Sequence, residues 1–298
     1  MKLIGQYKDH ISLHFIILIW GFTGILGKLI SLPYYSIVIY RMGIAFLGLC
    51  LYLYIAKKPF EKSFKKIALF ILVGVIVGAH WATFFQAIKV SNVSVTLTTL
   101  ASTSLFVAFL EPLFFRRRII WYEVVLGLMV IFGLYLIFSF EVQYKLGITL
   151  ALISAMLAAL FGTINGRLVQ RAAPGQITMY EMLGGVLGMS CYTFFFENVE
   201  GGAFSPSMLD VFYLLVLGLI CTAFAFVISI QVMRVLSPYT VSVSINMEPI
   251  YAIILALIFF GESEKMTLGF YAGAALILGT VIGNGVLKSY FRNKAIGK

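Results

Sequence analysis

The sequence predicts an all-α membrane protein: ten transmembrane helices forming two inverted five-helix repeats, with both termini cytoplasmic. Three observations carry this reading. The 298-residue chain is 61% hydrophobic and only 11% charged, with a mean hydropathy of +1.01. A soluble domain carries about 25% charged residues, so lipid must solvate most of this surface. The charges that remain fall in short connections and are biased to one side, and one half of the chain repeats the other.

A hydrocarbon core about 30 Å thick needs roughly 20 apolar residues per helix. Apolar runs read against charged or turn-like breaks give ten spans, at 11–32, 34–56, 67–89, 93–115, 120–140, 146–170, 176–197, 209–232, 238–260 and 267–287. Strands of a closed barrel would alternate polar and apolar residues; these runs do not. Span 1 is too long for a signal peptide and has no small-residue cleavage site after it, so it is read as an uncleaved span. "KKPFEKSFKK" at 57–66 parts spans 2 and 3, "RRR" at 116–118 parts spans 4 and 5, and the acidic loop "NVEGGAFSPSMLD" at 198–210 parts spans 7 and 8. No connection leaves room for an extramembrane domain. Cys50, Cys191 and Cys221 all lie inside spans and are read as small packing residues.

Orientation follows from the connections. Apart from Lys28, Arg41, Lys89, Lys145 and Lys265, every Lys and Arg lies at or beside a terminus or an even-numbered connection. Glu141, Glu197, Glu200, Asp210, Glu262 and Glu264 collect on the opposite side. The positive-inside rule then places both termini in the cytoplasm of a multi-pass inner (plasma) membrane protein. It also accounts for the net charge of +10 without a nucleic acid partner.

The repeat is visible in register. "FTGILGKLI" at 22–30 lies over "FGTINGRLV" at 161–169, and "YRMGIAFLGLCLY" at 40–52 over "YEMLGGVLGMSCY" at 180–192. "QAIKV" at 86–90 lies over "QVMRV" at 231–235, and the helices that follow end in "FF" at 114–115 and 259–260. The chain is therefore divided into residues 1–143 and 144–298. Five crossings per repeat is an odd number, so the second copy enters the membrane upside down. Inverted repeats are the architecture of alternating-access carriers, in which two gates open in turn around one midplane site.

A charged or strongly polar group inside a span is costly and asks for a reason. In order along the chain, Trp20 in span 1 is a candidate for the rim or wall of a site. Arg41 in span 2 and its repeat mate Glu181 in span 7 sit one to two turns from opposite faces; snorkelling or local bonds explain both, and they are read as structural charges. "GAHWATFFQ" at 78–86 puts His80 and Trp81 near the middle of span 3, with Phe84 and Phe85 extending the same surfaces. His80 either ties two helices together or lines a cavity. Thr98 and Ser102 share a face of span 4 at i, i+4 spacing, and Glu111 near its end is read as part of an interfacial ion network with Arg116 to Arg118. Asn165 in span 6 and Asn246 in span 9 either bond a neighbouring helix or face a cavity. Glu248 lies near the middle of span 9 and is followed by Pro249, which can bend the helix. It is either a neutral hydrogen-bonded acid or a proton-coupling residue. Tyr251, a turn further on, is another candidate wall. Glycines at spacing four in "GGVLG" and "GTVIG" indicate close packing or a homodimer face, without distinguishing them.

"WGFTGILGK" at 20–28, Arg41 in span 2, "FFQAIKVSNVSVTLTTLASTSLFVAFLEPLFF" across spans 3 and 4, and "MEPIYAIILALIFFGESEK" in span 9 resemble the EamA branch of the drug/metabolite transporter superfamily over essentially the whole chain. Two features depart from that pattern. Ser104 stands where span 4 usually has proline, and "FRRR" replaces the usual Gly-Glu ending there. The resemblance implies a secondary transporter of small metabolites, often an exporter, with a cavity formed mainly by spans 1, 3, 4, 6, 8 and 9. It does not fix the substrate, since members handle amino acids, sugars, nucleosides and drugs.

The expectation is a carrier for a small organic metabolite, an amino acid or related compound, possessing no cofactor and no metal. The substrate-binding candidates are Trp20, His80, Trp81, Phe84, Thr98, Ser102, Asn165, Asn246 and Tyr251, with Glu248 as the proton-coupling candidate. The chain holds no Walker loop, HExxH, paired His/Cys spacing or Gly-x-Ser-x-Gly. Two rivals remain at this point: an intramembrane lipid-modifying enzyme using His80 and Glu248 as an acid/base pair, and a non-transporting membrane subunit.

Overall fold

The computed structural model describes residues 2–116, 121–245 and 247–296, and every regular element among them is a helix. Asn246, Arg117 and Arg118 lie outside the described residues. The elements are α1 (Lys2–Leu29), α2 (Tyr34–Ile55), α3 (Phe64–Val90), α4 (Val93–Leu100), α5 (Thr103–Phe115), α6 (Trp121–Phe140) and α7 (Lys145–Leu168), followed by α8 (Pro174–Phe196), α9 (Met208–Leu215), a π-helical stretch Val216–Phe224, α10 (Ala225–Val232), α11 (Pro238–Ile245), α12 (Glu248–Phe260) and α13 (Leu268–Ile296).

Local chemistry sets the boundaries. Pro33 and Pro174 stand at helix starts, where the missing N–H costs nothing. Asn92 caps α4 by accepting the Val95 N–H at 2.8 Å, and Ser207 with Asp210 closes a capping box on α9. Counting α4–α5, α9–α10 and α11–α12 as single units, seven helices among the described residues are long and apolar enough to cross a membrane. Val125–Ile137 in α6 and Leu268–Thr280 in α13 are shorter apolar stretches, and α8 runs for 23 residues.

Spans 4 and 9, expected as continuous, are each broken. α4 gives way to α5 at Ala101–Ser102, and α12 begins at Glu248. Aligning the two "FF" pairs puts these breaks at equivalent places. In the second repeat Pro249 sits in the first turn of α12, so the expected bend is realised as a new helix start. The first repeat has no proline there, and hydroxyls take the carbonyls that the break frees. Thr103 Oγ1 donates to the Leu100 carbonyl at 2.7 Å and Ser104 Oγ to that of Ala101 at 3.2 Å. The substitution of Ser104 for proline therefore leaves the discontinuity in place.

Packing repeats as the sequence does. α3 lies on α8 and α7, while α2 and α1 lie in the same way on the span from α9 to α10. α4 and α5 pack on α7 as α11 and α12 pack on α1, and the equivalent helices α6 and α13 pack on each other. The α3–α8 crossing brings backbones together through glycine. A Cβ on Gly74 would lie 2.1 Å from the Glu181 carbonyl oxygen, and one on Gly184 would lie 2.1 Å from that of Ile71. "GGVLG" thus packs within the chain, whereas Gly279 and Gly283 of "GTVIG" meet nothing within 4 Å.

Polar contacts tie the helix ends. At one end, Glu264 is fully buried and accepts from Lys28 Nζ at 2.8 Å, from the Val93 and Ser94 N–H groups at 3.1 and 2.9 Å, and from Ser94 Oγ at 2.7 Å. It caps the start of α4 from the other repeat. Asp210 accepts from the Ser31 N–H at 2.8 Å and Ser31 Oγ at 2.7 Å. At the other end, Glu111 accepts the Tyr239 N–H at 2.7 Å, so a first-repeat carboxylate meets the start of α11. Tyr180 and Gln176 reach the Glu61 and Pro59 carbonyls there. Glu61, in that connection, is held below the usual carboxylate range by the Ser63 N–H and by Lys66.

Candidate functional site

Midway between these two ends the repeats enclose a cavity of about 130 Å³. Trp20, Arg41, His80, Trp81, Phe84 and Thr103 line it from the first repeat, and Phe161, Phe226, Ser229, Ser242 and Glu248 from the second. The lining continues through Met233 and Pro238, toward the end where Glu111 meets Tyr239.

Trp81 and Phe226 occupy equivalent positions in the repeats, five residues before Gln86 and Gln231, and meet edge to face with centroids 5.7 Å apart. Phe161 packs on Phe226 at 5.8 Å and on His80 at 5.3 Å. The Trp20 indole N–H donates to the Cys221 carbonyl at 2.9 Å. Cys221 belongs to the π-helical stretch, whose wider turn shifts the usual carbonyl pairing. His80 is buried, with Nδ1 2.9 Å from the Ser154 carbonyl oxygen, while Ser154 Oγ donates to the His80 carbonyl at 3.0 Å. Ser154 Oγ lies 2.8 Å from Nδ1 as well, so both Ser154 oxygens flank that ring nitrogen. The ring both joins α3 to α7 and faces the cavity.

Arg41 turns inward, only 1% exposed. Its guanidinium carbon lies 3.8 Å from the Trp81 centroid, and Nε donates to Thr222 Oγ1 at 2.6 Å. Thr222 in turn donates to the Leu217 carbonyl, five residues back in the wide turn. Arg41 Nη1 is buried and has no hydrogen-bond partner among the described residues. Glu248 lines the same cavity from the second repeat.

Of the candidates named from sequence, Trp20, His80, Trp81, Phe84 and Glu248 come together on one cavity. Thr98 and Ser102 are fully buried off its lining. Asn165 donates to Glu181 at 3.4 Å, away from it, and Tyr251 packs against Gly21 in the α1–α12 contact. Asn246 is outside the described residues. Sequence reasoning did not name Phe161, Phe226 or Thr222, and treated Arg41 as a structural charge. For Phe226 the repeat alignment with Trp81 was an available signal; nothing local marks Thr222.

A family model described as the EamA-like transporter family matches residues 11–139 and again 145–285. A solved crystal structure superimposes with a TM-score of 0.68 over 92% of this chain and 95% of that one, at 13% identity; likeness at that identity speaks for the fold alone. No curated protein sequence matches the chain.

Proposed function

The chain belongs to the EamA-like transporter family, and from that premise we propose that it carries a small organic metabolite, an amino acid or related compound, out across the cytoplasmic membrane by alternating access. In this reading the membrane is crossed ten times, α6, α8 and α13 completing the set, with both termini in the cytoplasm. The observation that carries it is the central cavity, built by side chains from both repeats, with different polar contacts tying the helices at its two ends. Opening one end while the other stays closed would expose the same aromatic walls to each side in turn. Glu248, a buried carboxyl on the cavity with no hydrogen bond among the described residues, is the group proposed to take a coupling proton. The unopposed glycines of α13 make its outer face the proposed homodimer contact.

Reconstitution in liposomes tests this reading. Solutes that stabilise the purified protein against heat should exchange across the vesicle membrane. A crosslink joining Lys89 and Asp210 positions, through introduced cysteines, should stop flux while leaving binding measurable. Glu248→Gln should keep binding and exchange but abolish accumulation driven by a pH gradient. Uninterrupted flux through the crosslinked protein would show a channel, and unchanged accumulation in Glu248→Gln would place the coupling elsewhere.

A further inference from the structure

We propose that Arg41 is the anchor for a carboxylate on the substrate, which supplies the counter-charge and hydrogen-bond acceptors that the cavity wall leaves unfilled. This rests on the transport reading and narrows the cargo to organic carboxylates with an apolar or aromatic body. Arginine keeps its charge under all working conditions, and an isolated buried cation is strongly unfavourable. Here the ring of Trp81 covers one face of the guanidinium and Thr222 takes Nε. Those two contacts fix its plane and leave Nη1 buried with no acceptor. Among the described residues no protein group completes the set. A planar guanidinium held at its face and at one nitrogen presents its remaining edge, and a carboxylate matches such an edge with two parallel bonds. Glu248 lines the same cavity, but among the described residues no carboxylate forms an ion pair or hydrogen bond with the guanidinium. An incoming carboxylate would supply both the charge and the bonds. Trp20, Phe84, Phe161 and Phe226, which line the same cavity, suit an apolar body.

A purely structural Arg41, stapling α2 to the π-helical stretch, would affect stability without distinguishing acids from their amides. Binding is read by tryptophan fluorescence in a Trp121→Phe background, where Trp20 and Trp81 on the cavity report. The probes are 3-phenylpropionate, phenylalanine and the primary amide of each. Both acids are expected to bind saturably, with the amides at least about tenfold weaker, since a bidentate ion pair is replaced by a bond to one neutral carbonyl oxygen. Whichever acid binds tighter identifies a free acid or an amino acid as the cargo. In Arg41→Gln the preference for acid over amide should vanish; Arg41→Lys, which keeps the charge but not the fork, should recover part of it. Equal binding of acids and amides by the native site, no binding of any probe, or an acid preference that survives Arg41→Gln would overturn the proposal. The first two outcomes are read without any Arg41 variant, so a variant that fails to fold leaves the test intact. Acids that bind but never cross a liposome membrane would sink the transport reading and leave the anchor standing.

Discussion

Trp81 and Phe226, equivalent residues of the two repeats, meet edge to face with ring centroids 5.7 Å apart at the wall of the central cavity. The pair is where the internal duplication becomes a physical contact between equivalent residues. Phe226 also packs on Phe161, which carries the contact on to α7.

Removing one ring should loosen the junction of the repeats. Phe226→Ala is expected to cost about 2 kcal/mol, less than the full-core range because one face borders the cavity. Thermal unfolding in detergent reads it. A melting point equal to that of the native protein would show that the rings touch without holding the halves together.

The glycine crossing of α3 and α8 sets a second expectation. A methyl group on Gly184 would meet the Ile71 carbonyl oxygen at 2.1 Å, and backbone cannot step aside as a side-chain tip can. Gly184→Val should destabilise by about 1–3 kcal/mol or more, while Gly279→Val, with open space around it, should leave the monomer's melting point alone. Equal effects of the two would contradict the crossing.

Glu264 predicts a graded series. Its carboxylate satisfies two N–H groups at the start of α4 and the Lys28 ammonium. Glu264→Gln, which retains an acceptor oxygen, should cost about 1 kcal/mol, and Glu264→Ala, which leaves those donors unmet, about 3 kcal/mol. Reactivity of a cysteine introduced at Ser31 should rise in the same order, as this end loosens. A Gln variant weaker than the Ala variant would remove the capping argument.

The topology is checked by labelling. Cysteines at Lys62 and Gly202, in connections at opposite ends of the bundle, should react from opposite sides of the membrane, with Lys62 cytoplasmic. Reaction of both with an impermeant reagent outside intact cells would sink the ten-crossing, inverted arrangement.

The sequence by itself determined that the chain is helical, that it lives in a membrane and that its two halves are copies. Hydropathy and repeat register are properties of the linear string, and lipid allows the backbone of an apolar run few alternatives to a helix. His80, Trp81 and Glu248, read from the sequence as lying near mid-span, share one cavity. Rotation was not legible. In water the polar face of a helix shows which side looks outward, but in lipid both the outer and the buried faces are apolar. Nothing in the string therefore said that Arg41 turns in against Trp81, or that Thr98, Ser102 and Asn165 turn away from the cavity. The breaks in spans 4 and 9 were half legible. Pro249 marks one, whereas the other is held by Thr103 and Ser104 hydroxyls on carbonyls three residues back, a bond that an unbroken helix can also make. Only the tertiary structure decided these points, because packing against the opposite repeat selects one rotation and one break from several that the local chemistry permits.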